Sequence, residues 1–196
     1  PKNPKLIWTS NSYFMDDRFK LWAAEKVEDG GVPLMIGQHG GHYGQGKFNF
    51  SEYHELKISD HYLSWGWGGD EGNVIPIGCF KSPVKRKIQN LSPKSLLLMI
   101  SGTSRYAGGL ASMPIAGQWI KYMDDQIKFY RDLPSRISKN VTVRLYPNDY
   151  EWSQYNRWKD AFPESNVDDG KSNYNKLLER SSLIVSGWNS TTYLES

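Results

Sequence analysis

The run Ser95-Leu96-Leu97-Leu98-Met99-Ile100-Ser101 constrains what this chain can fold into more than any other segment. An unbroken apolar run this short, bounded by serines, has no polar face to turn toward water. It reads as a strand buried on both sides, the condition of a strand inside a parallel sheet covered by helices. The rest of the chain agrees, alternating short extended segments with amphipathic helical ones. Strands are expected at Lys5–Thr9, Val32–Gln38, His61–Trp65, Asn73–Gly78, Ser95–Ser101, Val141–Tyr146, near Val167 and at Ser182–Ser186. Helices are expected at Asp16–Asp29, Ser51–Ile58, from Ser112 and Pro114 through Tyr130, at Glu151–Phe162 and Ser172–Arg180, and from Ser190 onward. Their buried stripes read Phe19, Trp22, Ala23 and Val27; then Ile115, Trp119, Met123, Ile127 and Tyr130; then Trp152, Tyr155, Trp158 and Phe162. This is an α/β pattern, with Rossmann-like parallel sheets and flanking helices.

Composition removes several classes of protein. With 8 Trp, 12 Tyr and 7 Phe in 196 residues, the chain is too aromatic for a disordered segment. A single cysteine, Cys79, excludes a disulfide framework and a Cys-rich zinc module. No apolar run approaches the roughly 18 residues of a membrane span. No secretory signal opens the sequence at Pro1, so a cytoplasmic location is expected. The strand entered at Leu6 and the closing segment from Thr191, which reads as the first turn of a helix without a C-cap, suggest a section of a longer protein.

The net charge of +3 conceals an asymmetry. Between Glu71 and Asp124 there is no acidic residue, while Lys81, Lys85, Arg86, Lys87, Lys94, Arg105 and Lys121 all fall in that window. A field of one sign favours an anionic partner such as a nucleotide or an anionic membrane surface, although a solvated basic linker over Lys81–Lys87 would look the same.

In parallel α/β sheets, ligands lie outside the carboxyl ends of the strands. The loops to inspect are therefore Gln38-His39-Gly40-Gly41, Ser101–Gly109, Pro147–Trp152 and Ser186–Thr192. His39, at a strand end beside glycines that admit a substrate, suits general-base work because imidazole titrates near neutrality. An ordinary turn histidine, or a metal pair with His42, would occupy the same place. No HExxH or Cys/His zinc spacing is present, and no metal is expected. Residues 41–48, Gly-His-Tyr-Gly-Gln-Gly-Lys-Phe, approach a phosphate-binding P-loop, but Phe48 stands where the Mg²⁺-holding hydroxyl belongs. Arg144, on a strand, needs an anion: a ligand phosphate, or Asp149 or Asp168 in a salt bridge. Asn189-Ser190-Thr191-Thr192 opens a helix directly after a strand, which serves either as an anion site or as simple N-capping. Glu195, one turn further on, is within reach of a ribose or sugar hydroxyl.

Several phrases together carry a resemblance: Ile7-Trp8-Thr9-Ser10-Asn11-Ser12, Ile36-Gly37-Gln38-His39-Gly40-Gly41-His42-Tyr43-Gly44, Gly117-Gln118-Trp119, Val143-Arg144-Leu145-Tyr146-Pro147 and Trp188-Asn189-Ser190-Thr191-Thr192-Tyr193-Leu194-Glu195. They are similar to a transferase family associated with bacterial surface-polysaccharide (lipopolysaccharide) synthesis, over essentially the whole chain. The resemblance implies part of a two-lobe GT-B glycosyltransferase fold. Residues 1–78 would end an acceptor-side lobe, 79–94 would be a basic linker, and 95–196 most of a donor-side lobe. More distantly, His39-Gly40, Arg144 with Pro147, and Asn189-Ser190-Thr191-Thr192 resemble motifs of CDP-glycerol glycerophosphotransferases and capsule Kdo transferases. Tyr146 stands where several of those enzymes carry histidine.

The resulting expectation is a transferase moving a sugar from a nucleotide-activated donor to a polysaccharide or lipid-linked acceptor. His39 would be the base, with Gln38, Gly40, Gly41 and His42 near the acceptor. Arg105, Arg144, Tyr146, Asn189, Ser190, Thr191, Thr192 and Glu195 would hold the donor. No cofactor beyond the donor substrate is expected, no nucleic-acid partner, and a peripheral contact with anionic membrane is consistent with the basic window. Transfer of a polyol phosphate, or a non-enzymatic module binding anions or nucleic acid, are the alternatives.

Overall fold

A computed structural model describes residues 3–68, 72–79, 95–106, 117–189 and 191. The proposed linker beyond Cys79, the helix opening at Ser112 and Pro114, and Ser190, Thr192 and Glu195 lie outside the described residues, as do most of the basic side chains of the acid-free window. The chain divides into two units, Pro1–Ser82 and Pro83–Ser196. Each is built on a four-stranded sheet whose strand pairs are all parallel.

The first unit runs β1 (Ile7–Thr9), α1 (Ser12–Met15), α2 (Asp17–Glu28), β2 (Leu34–Gly37), α3 (Phe50–Ile58), β3 (His61–Ser64) and β4 (Val74–Pro76). The strands lie in sequence order, β1-β2-β3-β4. When each strand is added beside its predecessor, right-handed crossovers put the helices on one face. Ile7, Leu34, Ile36 and Tyr62 point to that face and pack with Phe19, Trp22 and Val27 of α2 and Leu56 of α3. Trp8 points the other way and is 54% exposed. Asp16 caps α2 by accepting from the amides of Arg18 and Phe19 at 3.0 Å, and Asn49 caps α3 in the same way. Each such cap contributes about 1 kcal/mol.

The second unit runs β5 (Leu96–Met99), α4 (Gly117–Asp132), α5 (Ser135–Ser138), β6 (Val141–Arg144), α6 (Gln154–Ala161), β7 (Asn166–Asp168), α7 (Tyr174–Glu179) and β8 (Leu183–Ser186). Its strand order is β7-β6-β5-β8. The first three strands march one way, so α4 and α6 cover one face; the path then reverses to β8, and α7 covers the other. The clusters match. Leu96, Leu98, Ile100, Val141 and Val143 pack with Trp119, Met123, Tyr130 and Trp158, while Leu97 and Met99 pack with Leu178. Both Leu97 and Leu98 are fully buried, as the two-sided burial of the opening run requires.

The structure departs from the sequence expectation at α6. The helix starts at Gln154, not Glu151, because Tyr150, Glu151 and Ser153 all take positive φ, between 50° and 64°. Trp152 therefore reaches the core from a loop, Gln154 is buried, and Tyr155, expected inside, is 47% exposed. The short helices α1 and α5 carry no periodicity long enough to read.

The turn after β7 depends on Gly170. Its φ is +86°, and an added Cβ would lie 2.7 Å from the carbonyl oxygen of Leu145 and the backbone of Pro147. Backbone cannot yield as a flexible side chain can, so Gly170→Ala is expected to cost about 1–3 kcal/mol. Urea unfolding checks this; an unchanged midpoint would refute it.

Candidate functional site

In the first unit the functional residues gather where β2 ends. Gln38 is buried and works as a staple. Its Nε2 donates to the Gly40 carbonyl at 2.7 Å, and its Oε1 accepts from the Trp65 amide and the Trp67 indole, each at 2.8 Å. This fixes the loop after β2 against the loop after β3. Gly40 makes room for the His42 ring, whose atoms lie 2.8 Å from where a Cβ would stand. Gly41 accepts a hydrogen bond from the Gln45 side chain at 2.9 Å.

His39 is partly open to solvent and sits over a buried polar cluster. Both of its ring nitrogens lie 3.3 Å from the Tyr43 hydroxyl, and Nδ1 lies 3.7 Å from Oε1 of Glu55. Glu55, on α3, is wholly buried. Its Oε1 accepts from the hydroxyls of Tyr43, at 2.6 Å, and of Tyr13. Its Oε2 and the nearby hydroxyl of Tyr62 are buried without a hydrogen-bond partner. Burial raises the Glu55 carboxyl above the usual range against the pull of the tyrosine hydroxyls, and raises all three phenols. Burial lowers His39, as does His42, while the Ser10 backbone pulls the other way. Burial and His42 thus disfavour the imidazolium, and the neutral ring is the form a base needs. Burial lowers His42 too, opposed by Glu52.

The P-loop likeness has a different use here. The Gly44 amide donates to Glu52 Oε2 at 2.6 Å, so a carboxylate of the chain itself takes the place an incoming phosphate would need. Gly44 has φ +73° and lies under the Trp67 ring, and the helix that follows is only the nine residues of α3.

In the second unit, the reversal of strand order falls between β5 and β8, so their carboxyl ends flank a switch point. The Gly187 amide donates to the Met99 carbonyl at 3.0 Å, and the Ser101 amide donates to the Tyr122 hydroxyl at 2.9 Å. Burial pushes the Tyr122 phenol up to about 12. A Cβ at Gly187 would lie 2.5 Å from that hydroxyl, and one at Gly102 would lie 2.7 Å from the Tyr146 ring. Tyr146 stacks on Tyr150. Arg105 lies in the loop after β5, donates to the Glu151 carbonyl at 3.1 Å and sits over the rings of Tyr106 and Trp152. Asn189 and Thr191 follow β8 directly.

For Arg144 the sequence left a phosphate and a salt bridge open. Its guanidinium donates to Asp168 at 2.5 Å, to the Gly170 carbonyl at 2.8 Å and to the Ser172 carbonyl at 3.1 Å, and it lies over the Tyr174 ring. Beside it a groove of about 980 Å³ is lined by Tyr146, Asp149, Tyr155, Asp168 and Lys171 among others. The sequence reading missed Glu55 and its three tyrosines altogether.

Among the described residues no group of three or more His, Cys, Asp or Glu side chains is arranged to hold a metal ion, and no helix is long and apolar enough to cross a membrane. No curated protein and no solved structure matches the chain. A family model described as LIC12162 family transferase matches residues 1–196, which makes the protein a transferase and therefore an enzyme. The chain belongs to the LIC12162 family of transferases.

Proposed function

We propose that this transferase moves a sugar from a nucleotide-activated donor to a hydroxyl of a surface polysaccharide or lipid-linked glycan. The observation that carries the reading is the reversal of strand order between β5 and β8, whose carboxyl ends flank the kind of switch point at which parallel sheets take ligands. In this reading His39 takes the proton of the acceptor hydroxyl, and the oxygen attacks the sugar carbon. The carbon–oxygen bond to the donor phosphate breaks, and its electron pair leaves on the phosphate. Arg105 and the amides after β8, through Asn189 and Thr191, meet the charge growing there. Arg144 is assigned to holding the 168–172 turn.

A thermal-shift titration with CMP, CDP, UDP, GDP and ADP tests the donor site. One nucleotide is expected to raise Tm saturably, by about 5–10 °C at a concentration near 100 Kd. A folded protein that ignores all five refutes a nucleotide donor. With the cognate donor in hand, a product heavier by a polyol phosphate instead of a sugar would move the assignment to polyol-phosphate transfer.

A further inference from the structure

The orientation of α3 runs against its composition. Phe50 and Tyr53 point outward, at 71% and 63% exposure, while the carboxyl of Glu55 is wholly buried. Burying a carboxyl is costly unless it is bonded, and one of its oxygens, Oε2, has no partner. The groups facing it come from every neighbouring element: Tyr13 from α1, Tyr43 and His39 from the loop after β2, Tyr62 from β3, and Glu52 from its own helix. His42 and the His54 ring stand one layer further out, against Tyr43 and Tyr13. Among the described residues, the group within ion-pair reach of Glu55 that can become a cation is the His39 imidazole, at 3.7 Å.

We propose that Glu55 is the positioning residue of His39, a buried carboxylate that holds the imidazole through Tyr43 and balances the positive charge it acquires on removing a proton. The proposal rests on the reading of His39 as the base. The hydrogen of Tyr43 is committed to Glu55 Oε1, so the Tyr43 oxygen turns its lone pairs toward the ring nitrogens, 3.3 Å away. A ring N–H facing that oxygen leaves the lone pair on the other nitrogen. When that nitrogen takes the acceptor proton, the acceptor oxygen bonds to the sugar carbon and the leaving phosphate keeps the electron pair of the broken bond. The imidazolium then shares its charge with Glu55 until the proton passes to solvent. The same logic operates wherever a buried carboxylate steadies a histidine base without taking the proton itself.

The test is an NMR titration of the His39 ring in the full chain, assigned by its loss in His39→Ala, for wild type, Glu55→Gln, Glu55→Asp and Tyr43→Phe. In Glu55→Gln and in Tyr43→Phe the ring is expected to titrate at lower pH than in wild type, because the imidazolium has lost its counter-charge or its link to it. Glu55→Asp is expected to recover part of the difference. In the transfer assay, kcat falls about tenfold or more in Glu55→Gln with KM within about twofold, and the acid limb of the rate profile moves with the titration. A His39 titration unmoved in folded Glu55→Gln overturns the proposal; should that variant not fold, an unmoved titration in Tyr43→Phe does so. The titration is read without substrate. A shifted titration in a protein that transfers nothing therefore overturns the transfer reading and leaves the Glu55–His39 coupling supported.

Discussion

Alanine in place of His39 is expected to lower transfer by about 10²–10⁴-fold, the usual contribution of a positioned base. The donor nucleotide should still raise Tm as in wild type, because the donor groups proposed above all belong to the second unit. The pH profile carries a second signature. Burial and His42 lower the His39 titration, so the base form persists to more acidic pH than a free imidazole would allow. The acid limb of kcat/KM is therefore expected below pH 6.5, the ordinary imidazole value, and it should vanish in the variant. The same lowering has a stability consequence. At acid pH the unfolded chain binds protons that native His39 and His42 resist, so their contribution is present above the ordinary imidazole range and is lost as pH falls through their native values. Turnover within about threefold of wild type would remove His39 as the base.

The sequence made the elements legible where burial is one-sided or complete. The Leu96–Met99 strand shows itself because no residue in it is polar, and α4 because Trp119, Met123 and Tyr130 recur at helical spacing and are all buried. Strand order was not legible. Periodicity says which residues face a core, not which strand lies next to which, so the β7-β6-β5-β8 order and its switch point needed three-dimensional contacts.

The candidate site was half legible for a similar reason. His39 stands out by its place at a strand end among glycines. Its partner does not. In α3 the aromatic residues Phe50 and Tyr53 advertise an apolar face, and a reader following hydrophobicity would turn the helix the wrong way. Glu55 faces inward because the hydroxyls of Tyr13 and Tyr43, distant in sequence, donate to it there, and no local pattern in the chain announces that meeting. Tyr155 fails in the opposite sense. It sits at good helical spacing from Trp158, yet the left-handed residues before Gln154 delay the helix and leave the ring at the surface.

Arg144→Ala is the second large effect, and it separates two roles that the sequence could not. The guanidinium and the Asp168 carboxyl are only 15% and 7% exposed, and the arginine also carries the carbonyls of Gly170 and Ser172. Removing it leaves a buried carboxylate without its counter-charge, at a cost of about 3–5 kcal/mol. That corresponds to a drop in Tm of about 10 °C for a chain of this size. Arg144→Lys keeps the charge but not the fork that reaches three acceptors at once, so it should fall between wild type and alanine. The double variant Arg144→Ala with Asp168→Ala should lose less than Arg144→Ala alone, since no stranded carboxylate remains. Because the arginine is committed to the 168–172 turn, the nucleotide-induced rise should persist in Arg144→Ala from its lower starting Tm. If Arg144 instead holds donor phosphate, the opposite pattern appears: Tm without nucleotide stays where it was and the nucleotide no longer raises it.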